Sequence, residues 1–504
     1  MNVIDSGGLL IQAIAAPLIT SFIALLVGKK LKEKTGWLSF IPLLYSSLLL
    51  LYVNLNLKSW NGELKAVYDW APYLGKFVLL ADGLSAPIAL TIAFLSAVIS
   101  IYSIYYMKNQ ERLNLYFSLY LLYAAGMIGT VLAVNLVAFF IFFEFMLLPS
   151  WALIGIWGTG RKELIAFKYF MFTEIGALSL LAGIASAYSL TGTLDITEMG
   201  ALTAKLGYDV IVPTAIAMLI GFFVKMAIFP LHSWLPDAHA EAPTPISALL
   251  SPAMIGIGGY ASIRVIYEAF PKLVELWPFM IGLALLAFIT MVYGGLMALA
   301  QDDIKRLLAY SSISQMGYML FGVASISIIG VMGAVLLYVS HGLAKAVLFM
   351  IAGVFMHELK TRRISDLRGL AGLMPVTATV ALISFLSLAG VPPMLGFWSE
   401  IFIFAGSIYT AIQGSFDVYR LVVTSIAIIM SVLTAGYGLW TIKRVFYGEP
   451  TEKLKEIKKE PLSMLAPTII LTFFMVILGI YPAPIASLAN ATLKPIFDFI
   501  LSLV

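Results

Sequence analysis

Cysteine is absent from this chain of 504 residues, and histidine occurs only at His232, His239, His341 and His357. Iron–sulfur clusters are held mainly by thiolates, so none has ligands here. Histidines without ligand spacing leave no donor set for a haem or metal ion. Any electron transfer linked to this chain therefore takes place in another subunit. Charge is the second shortage, at 12% of residues against 61% hydrophobic. No soluble core needs that much apolar surface. There is also no Gly-x-x-x-x-Gly-Lys-Ser/Thr stretch to cradle a nucleotide phosphate. The net charge of +4 carries no signal for nucleic acid, because the basic residues follow membrane topology.

What the chain does have is a series of apolar runs of about 20 residues, the length at which a helix crosses a bilayer of roughly 30 Å. Fourteen spans are read at 9-28, 37-57, 84-107, 113-131, 133-157, 163-190, 211-230, 247-270, 277-300, 306-327, 329-356, 375-408, 419-443 and 463-487. The fold class is all-α, a polytopic membrane protein. The first run is too long for a signal h-region and has no basic n-region, so it reads as a retained span. With the N-terminus outside, the inner loops hold 20 of the 31 Lys and Arg, among them Lys29, Arg161, Lys305, Arg306, Lys443, Lys453, Lys455, Lys458 and Lys459. This bias places both termini on the outer face of the plasma membrane. The soluble pieces, near 58-83, 191-210 and 449-460, are too small for a catalytic domain.

Two charges lie within apolar spans. Lys225 sits in Gly221-Phe-Phe-Val-Lys-Met-Ala-Ile-Phe-Pro230 and Glu144 in Phe142-Phe-Glu-Phe-Met-Leu-Leu-Pro149. Charged groups at membrane depth cost about 2.5 to 3.5 kcal/mol, so those that persist usually face a hydrated interior and handle ions or protons. Two spans are also interrupted. One breaks at Pro230 after Lys225, the other at Gly390-Val-Pro-Pro-Met-Leu-Gly396 before Glu400. A proline removes an amide donor and displaces the carbonyl four residues earlier, which predicts freed carbonyls at Met226 and Ala389. Such backbone is tolerated at membrane depth where protein buries it or a wet cavity solvates it. Offsets of 175 residues from Lys225 to Glu400 and 177 from Lys168 to Lys345 suggest a duplication. Five-helix units, odd in number, would be inverted across the membrane. The expected domains are a three-helix segment at 1-110, repeats at 111-270 and 271-446, and an inner charged loop with a C-terminal helix at 447-504.

The stretch Val224-Lys-Met-Ala-Ile-Phe-Pro-Leu-His-Ser-Trp-Leu-Pro-Asp-Ala-His-Ala-Glu-Ala-Pro-Thr-Pro-Ile-Ser-Ala-Leu249 resembles the antiporter-like subunits shared by Mrp cation/proton antiporters, respiratory complex I and membrane-bound hydrogenases or sulfane reductases. The likeness continues in Ala300-Gln-Asp-Asp-Ile-Lys-Arg-Leu-Leu-Ala-Tyr-Ser-Ser-Ile-Ser-Gln-Met-Gly317 and His341-Gly-Leu-Ala-Lys-Ala-Val-Leu-Phe349, and covers nearly the whole chain. The resemblance implies fourteen helices, two inverted five-helix repeats and a hydrophilic axis that moves protons or exchanges them for sodium. It places the family's titratable positions on Glu144, Lys225, His341, Lys345 and Glu400. Gly256 stands where many members carry a lysine, and Ser251 replaces a histidine of some. Either the relay is interrupted there, or water fills the space left by Gly256, Gly258 and Gly259. The long lateral arm of the distal complex I subunit is expected to be missing.

Each site has a structural reading beside the functional one. Glu144 and Lys225 form either a static ion pair or a switch in which moving the carboxylate releases the lysine proton. His341 and Lys345, four apart, share a helix face and suit successive proton carriers. Glu400 is expected as the terminal proton acceptor or donor. His232, Asp237 and His239 are candidates for proton entry near the inner face, and Lys168 for a modulator. Glu174, Asp302, Asp303 and Arg264 read as caps, anchors or partners.

The expected function is an ion-translocating subunit of a multi-subunit complex, with further antiporter-like subunits and a peripheral redox module as partners. Iron–sulfur or NiFe centres belong to those partners and no cofactor to this chain. Hydrogenase-type and Mrp complexes rank ahead of a quinone-linked enzyme. The alternatives are a quinone- or carrier-binding subunit of an oxidoreductase and a stand-alone solute carrier.

Overall fold

The computed structural model describes residues 7–413, 416–450, 454 and 460–503. Lys453, Lys455, Lys458 and Lys459, counted above with the inner charges, lie outside the described residues. Helices α1 (Gly7–Leu31) and α2 (Thr35–Asn56) lead into a β-hairpin of β1 (Glu63–Asp69) and β2 (Lys76–Asp82). There follow α3 (Ser85–Tyr106), α4 (Leu113–Leu132), α5 (Leu136–Trp157), α6 (Lys162–Thr191), the short α7 (Ile196–Thr203), α8 (Tyr208–Met226) and α9 (Trp234–Glu241). The next span is a composite of α10 (Thr244–Leu249), a π segment Leu250–Met254, α11 (Ile257–Ile263) and a second π segment Arg264–Ala269. Then come α12 (Trp277–Leu299), α13 (Ile304–Val323), α14 (Ile328–Val354), α15 (Pro375–Leu388), α16 (Leu395–Ile412), α17 (Val418–Met430), α18 (Val432–Phe446), α19 (Leu462–Ile480) and α20 (Ala483–Leu501).

Among the described residues, 12 stretches are long and apolar enough to cross a membrane. One of them, Gly8–Trp60, runs for 53 residues through both α1 and α2. At 1.5 Å per residue that exceeds twice a bilayer core, and α1 folds back on α2 past Lys32, whose φ is 50°. Helix α13 is not among the 12, because its Lys305, Arg306, serines and Gln315 dilute the apolar run. These two features separate this count from the fourteen runs read from the sequence.

Within 58-83, expected as a soluble piece outside the spans, the chain forms this two-stranded antiparallel hairpin. Its first strand alternates, with Leu64 and Ala66 buried and Glu63 and Lys65 outward, the period of a half-buried strand. Asn135 ties the hairpin to the bundle: its amide donates to the carbonyls of Leu74 (2.9 Å) and Lys76 (3.1 Å) while its oxygen caps α5. Helices α7 and α20 lie at this same hairpin face; Tyr267 stacks on Phe497 of α20 at 5.2 Å. Neither helix was expected from the apolar runs as a separate element.

The interior is organised around two spans enclosed on every side, Thr244–Ala269 and Ile328–Leu359. Both helix breaks occur where expected, after Met226 and between Leu388 and Leu395. The carbonyls that receive side-chain donors are offset from the expected Met226 and Ala389. Trp234 Nε1 donates to Val224 O (2.9 Å) and Gln315 Nε2 to Leu388 O (3.4 Å). The chain leaves the helical path before its prolines, at the left-handed Ala227 (φ 56°) in the first case and at Gly390 (φ 65°) in the second.

Helices α12 and α13 meet along a seam of small residues. A side chain at Gly317 would come within 2.5 Å of Met291 N, and one at Gly294 would strike the Ser314 backbone. Without a hydrophobic drive between helices in lipid, such close backbone approach supplies the packing energy. Gly317→Leu is therefore expected to destabilise the fold by about 1 to 3 kcal/mol, read as a lowered unfolding temperature in mild detergent; an unchanged temperature contradicts the seam.

Candidate functional site in the membrane interior

Lys225 occupies the last turn of α8, fully buried, because the chain must stop being helical two residues later. Its ammonium lies 4.5 Å from the centre of the Phe143 ring, on the helix that carries Glu144. Lys225 Nζ and Glu144 Oε1 are buried without a hydrogen-bond partner. The expected ion pair is thus not closed in this structure, and a cation–π contact holds the ammonium beside it. Glu174 on α6, set aside above as an anchor, interacts electrostatically with both Lys225 and Glu144. The first cluster is therefore a triad of two carboxylates and one ammonium.

The second cluster surrounds α14. Lys345 Nζ donates to Leu308 O (2.9 Å) and to Ser311 Oγ (2.6 Å), and Ser311 Oγ donates onward to Tyr437 OH (2.7 Å). Tyr437 and Tyr318 are the aromatic hydroxyls that feel the charge of Glu400. The Glu400 carboxylate folds back onto the second helix break, where a Cβ on Gly390 would lie 2.7 Å from Oε2. A polar line thus runs from Lys345 through Ser311 and Tyr437 toward Glu400. His341 lies one turn from Lys345 on α14, and neither of its ring nitrogens has a hydrogen-bond partner.

His239 belongs with this second cluster instead of the entrance expected for it. It is completely buried, stacks on Phe349 at 4.7 Å, has no partner on either ring nitrogen, and lies within electrostatic reach of Lys305 and Lys345. Lys305, counted as an inner-loop charge, is likewise 0% exposed and donates to Ala242 O at 2.6 Å. His232 packs between Phe229 and Tyr293, with Nε2 3.1 Å from the Tyr293 hydroxyl. Asp237 is clamped by Lys168 (2.8 Å) and Arg306 (2.9 Å), which joins α6, α9 and α13. Lys168 is half-exposed and ion-paired while Lys345 is buried among neutral acceptors, so the two residues linked by the 177-residue offset have different surroundings.

The gap opened by the glycines is filled by protein. A Cβ at Gly256 would lie 2.6 Å from the ring of Tyr338, one at Gly258 would lie 2.6 Å from Met226, and one at Gly259 would strike Met319. Of the two alternatives, this packing favours the interrupted relay, because side chains from α8, α13 and α14 occupy the space beside the glycines. Tyr338 OH donates to Ala253 O at 2.6 Å. The polar contact that crosses this region is Ser251 Oγ with Ser312 Oγ, 2.7 Å apart, one residue from Ser311. Lys305 and Ser311 sit inside a motif already quoted, so their position was readable. Tyr437 lies in an ordinary amphipathic helix and gave no such signal.

Known proteins resemble this chain in sequence and in fold. Residues 133–434 match the family model described as NADH:quinone oxidoreductase/Mrp antiporter, TM. Residues 73–117 match that of the NADH-ubiquinone oxidoreductase (complex I) chain 5 N-terminus. NAD(P)H-quinone oxidoreductase chain 4 2 of Microcystis aeruginosa is 35% identical, over 86% of this chain and 78% of that protein. F(420)H(2) dehydrogenase subunit M of Methanosarcina mazei is 31% identical, over 94% of each. Among solved structures, a chain of respiratory complex I from Thermus thermophilus superposes with a TM-score of 0.86 at 26% identity, covering 98% of this chain and 99% of that one. A chain of the Mrp complex from Dietzia sp. gives 0.87 at 23% identity over the full length of both, a likeness of fold. A polytopic helical bundle with broken spans, a buried lysine at the first break and these matches along its length place the chain in the NADH:quinone oxidoreductase/Mrp antiporter family of membrane subunits.

Proposed function

We propose that the chain moves protons, alone or in exchange for sodium, along the interior line that starts at Glu144 and Lys225 and ends at Lys345 and Glu400, with His341 and His239 as carriers beside it. One observation carries the reading: an ammonium and a carboxylate lie near each other at a broken helix deep in the bundle, and their Nζ and Oε1 atoms have no hydrogen-bond partner in the protein. Buried polar groups in proteins are mostly hydrogen-bonded, so a charged group left open at this depth is suited to exchange partners. Approach of Glu144 favours the charged lysine, and its withdrawal favours release of the proton. Lys345, Ser311 and Tyr437 then supply a hydroxyl path toward Glu400. His232 and Asp237 serve entry from the inner face, with Lys168 modulating Asp237.

The same reading takes the chain as fourteen crossings, with an N-terminal segment at 1-110, inverted repeats at 111-270 and 271-446, and a final piece at 447-504. It sets the chain in the plasma membrane with both termini and the hairpin outside. The driving reaction then lies in partner subunits, which carry any iron–sulfur or NiFe centre. The relatives named above draw that reaction toward a dehydrogenase of the complex I type, against the expectation from the sequence that hydrogenase-type and Mrp complexes rank ahead of a quinone-linked enzyme.

Lys225→Ala and Glu144→Ala are each expected to lower coupled ion movement by about a hundredfold while the complex still assembles. Normal pumping by both variants ends the relay reading. Tyr437→Phe removes the hydroxyl between Ser311 and Glu400, and slowed proton movement at unchanged assembly is the expected result; an unaltered rate takes Tyr437 off the path. Topology has a direct test in a chain without cysteine. Lys30→Cys and Tyr73→Cys should react with a membrane-impermeant thiol reagent from opposite sides, Tyr73→Cys from outside, and the reverse labelling overturns the orientation.

A further inference from the structure

We propose that a basic crevice at the end of α1 binds the phosphate headgroup of an anionic phospholipid, whose acyl chains lie along the exposed face of that helix; the inference stands apart from the proton-moving function. The crevice, of about 430 Å³, lies between the end of α1, the 3₁₀ turn Lys32–Lys34, the α3–α4 loop and the start of α4. Lys29, Lys32, Lys108 and Arg112 line it, with Glu33 as the one acid among its lining residues. Four cations there face one carboxylate. Helix α1 has 25 residues, about 37 Å at 1.5 Å per residue, against a hydrocarbon core of roughly 30 Å. Its last turn therefore reaches the headgroup level. Trp37 in the first turn of α2 and Tyr105 in the last turn of α3 are exposed at the same end of the bundle, as aromatic side chains at a membrane interface are.

The crevice has a fixed floor. Asn114 Nδ2 donates to Leu25 O at 3.1 Å, and Thr35 Oγ1 donates to Gly28 O at 3.2 Å and to Lys32 O at 2.7 Å. A Cβ at Gly28 would lie 2.7 Å from that of Asn114, so α1 and α4 meet there in close approach.

Basic residues collected on one face follow from membrane topology alone, but other cations counted with the inner loops have anionic partners. Arg306 meets Asp237 at 2.9 Å, Arg362 meets Asp303 at 2.7 Å and Arg444 meets Asp302 at 2.6 Å. At the crevice, Glu33 stands 4.0 Å from Lys108 in an exposed pair, and among the described residues Lys29, Lys32 and Arg112 are in no ion pair. Cations brought together from three elements repel until an anion comes between them. A phosphate group supplies that anion, with oxygens that accept from ammonium and guanidinium alike.

The helix below the crevice selects a lipid over a free anion. Phe22, Leu25 and Leu26 are 60%, 39% and 77% exposed, and with Lys29 they fall at i, i+3, i+4 and i+7, one face of α1. An apolar stripe thus runs up to the basic crevice on a single helix face. A phospholipid carries its chemistry in that same order, charge at the interface and hydrocarbon beneath. A free anion matches the cations and leaves the stripe bare.

The test places the assembled complex in phosphatidylcholine nanodiscs and follows binding of spin-labelled phosphatidylglycerol, with spin-labelled phosphatidylcholine as reference. It compares the unsubstituted complex, K29Q/K32Q/R112Q, and K360Q/R363Q/K443Q, which removes three exposed cations elsewhere. The unsubstituted complex is expected to prefer the anionic lipid, K29Q/K32Q/R112Q to bind it about tenfold or more weakly, and K360Q/R363Q/K443Q to keep the preference. No preference in the unsubstituted complex overturns the proposal. Equal loss in the two triple variants overturns it too, because net charge alone would then account for the effect. Displacement of the lipid by an equal concentration of inorganic phosphate points to a free anion and likewise overturns it. Should K29Q/K32Q/R112Q fail to assemble, the unsubstituted complex decides: phosphatidylglycerol with a photoreactive acyl chain should cross-link within residues 22–29. Absence of cross-links from that stretch, as when a neighbouring subunit covers it, overturns the proposal.

Discussion

A charge inside hydrocarbon must be offset by groups the protein itself carries, and the interior of this chain is arranged by the ways it meets that condition. Most buried cations are held fast. Lys345 donates to a carbonyl and a serine, Lys305 to Ala242 O, Arg264 to Asp82, and Arg420 to Ala324 O at 2.7 Å. Lys225 differs, because an aromatic face is its nearest partner and two carboxylates stand close without closing on it. The contrast separates positions that lock helices together from one at which charge is free to change partners. Breaking a locked pair leaves an uncompensated ion.

Helix breaks and π segments are the devices that place these groups. Regular α-helix has all its backbone donors and acceptors engaged, so it offers nothing polar to a passing ion. Where α8 ends, the indole of Trp234 takes the Val224 carbonyl, and where α15 ends, Gln315 takes that of Leu388. These contacts let irregular backbone persist at depth, and each break sits within a few residues of a titratable side chain, Lys225 in one case and Glu400 in the other. The helix ending at the first break packs on α11 and the helices flanking the second pack on α14, while Pro230, Pro392 and Pro393 themselves are exposed. The π segments in the span Thr244–Ala269 have a similar consequence, since a wider turn re-aims side chains; Arg264 and Glu268 both belong to one.

Beside the glycines, the span Thr244–Ala269 meets α13 through a hydroxyl pair. Gly256 removes the side chain, Tyr338 occupies the volume, and the remaining polar link is the pair Ser251 and Ser312. A hydroxyl donates and accepts at once, so it passes a proton without carrying charge itself. A neutral link in the middle also spares the desolvation of a third interior cation between Lys225 and Lys345.

Much of this was legible in the residues. Apolar run length determined the helical bundle, the prolines near 230 and 392 determined its breaks, and the rarity of charge singled out Lys225, Glu144, Lys345 and Glu400. These are local properties, set by the cost of a charge or a missing amide wherever the chain happens to fold. The β-hairpin shows in the sequence only as a short alternation in residues 63–69, a weak signal beside the long apolar runs. What the sequence left undecided is who meets whom. His239 reads as a loop histidine until α9 is packed against α14, Lys305 reads as an inner-face charge until Ala242 reaches it, and the glycine gap reads as room for water until Tyr338 fills it. Partners distant along the chain are chosen by helix packing, whose energies are summed over many small contacts between residues far apart in number. Tertiary structure alone therefore decided which titratable groups are paired and which stand free.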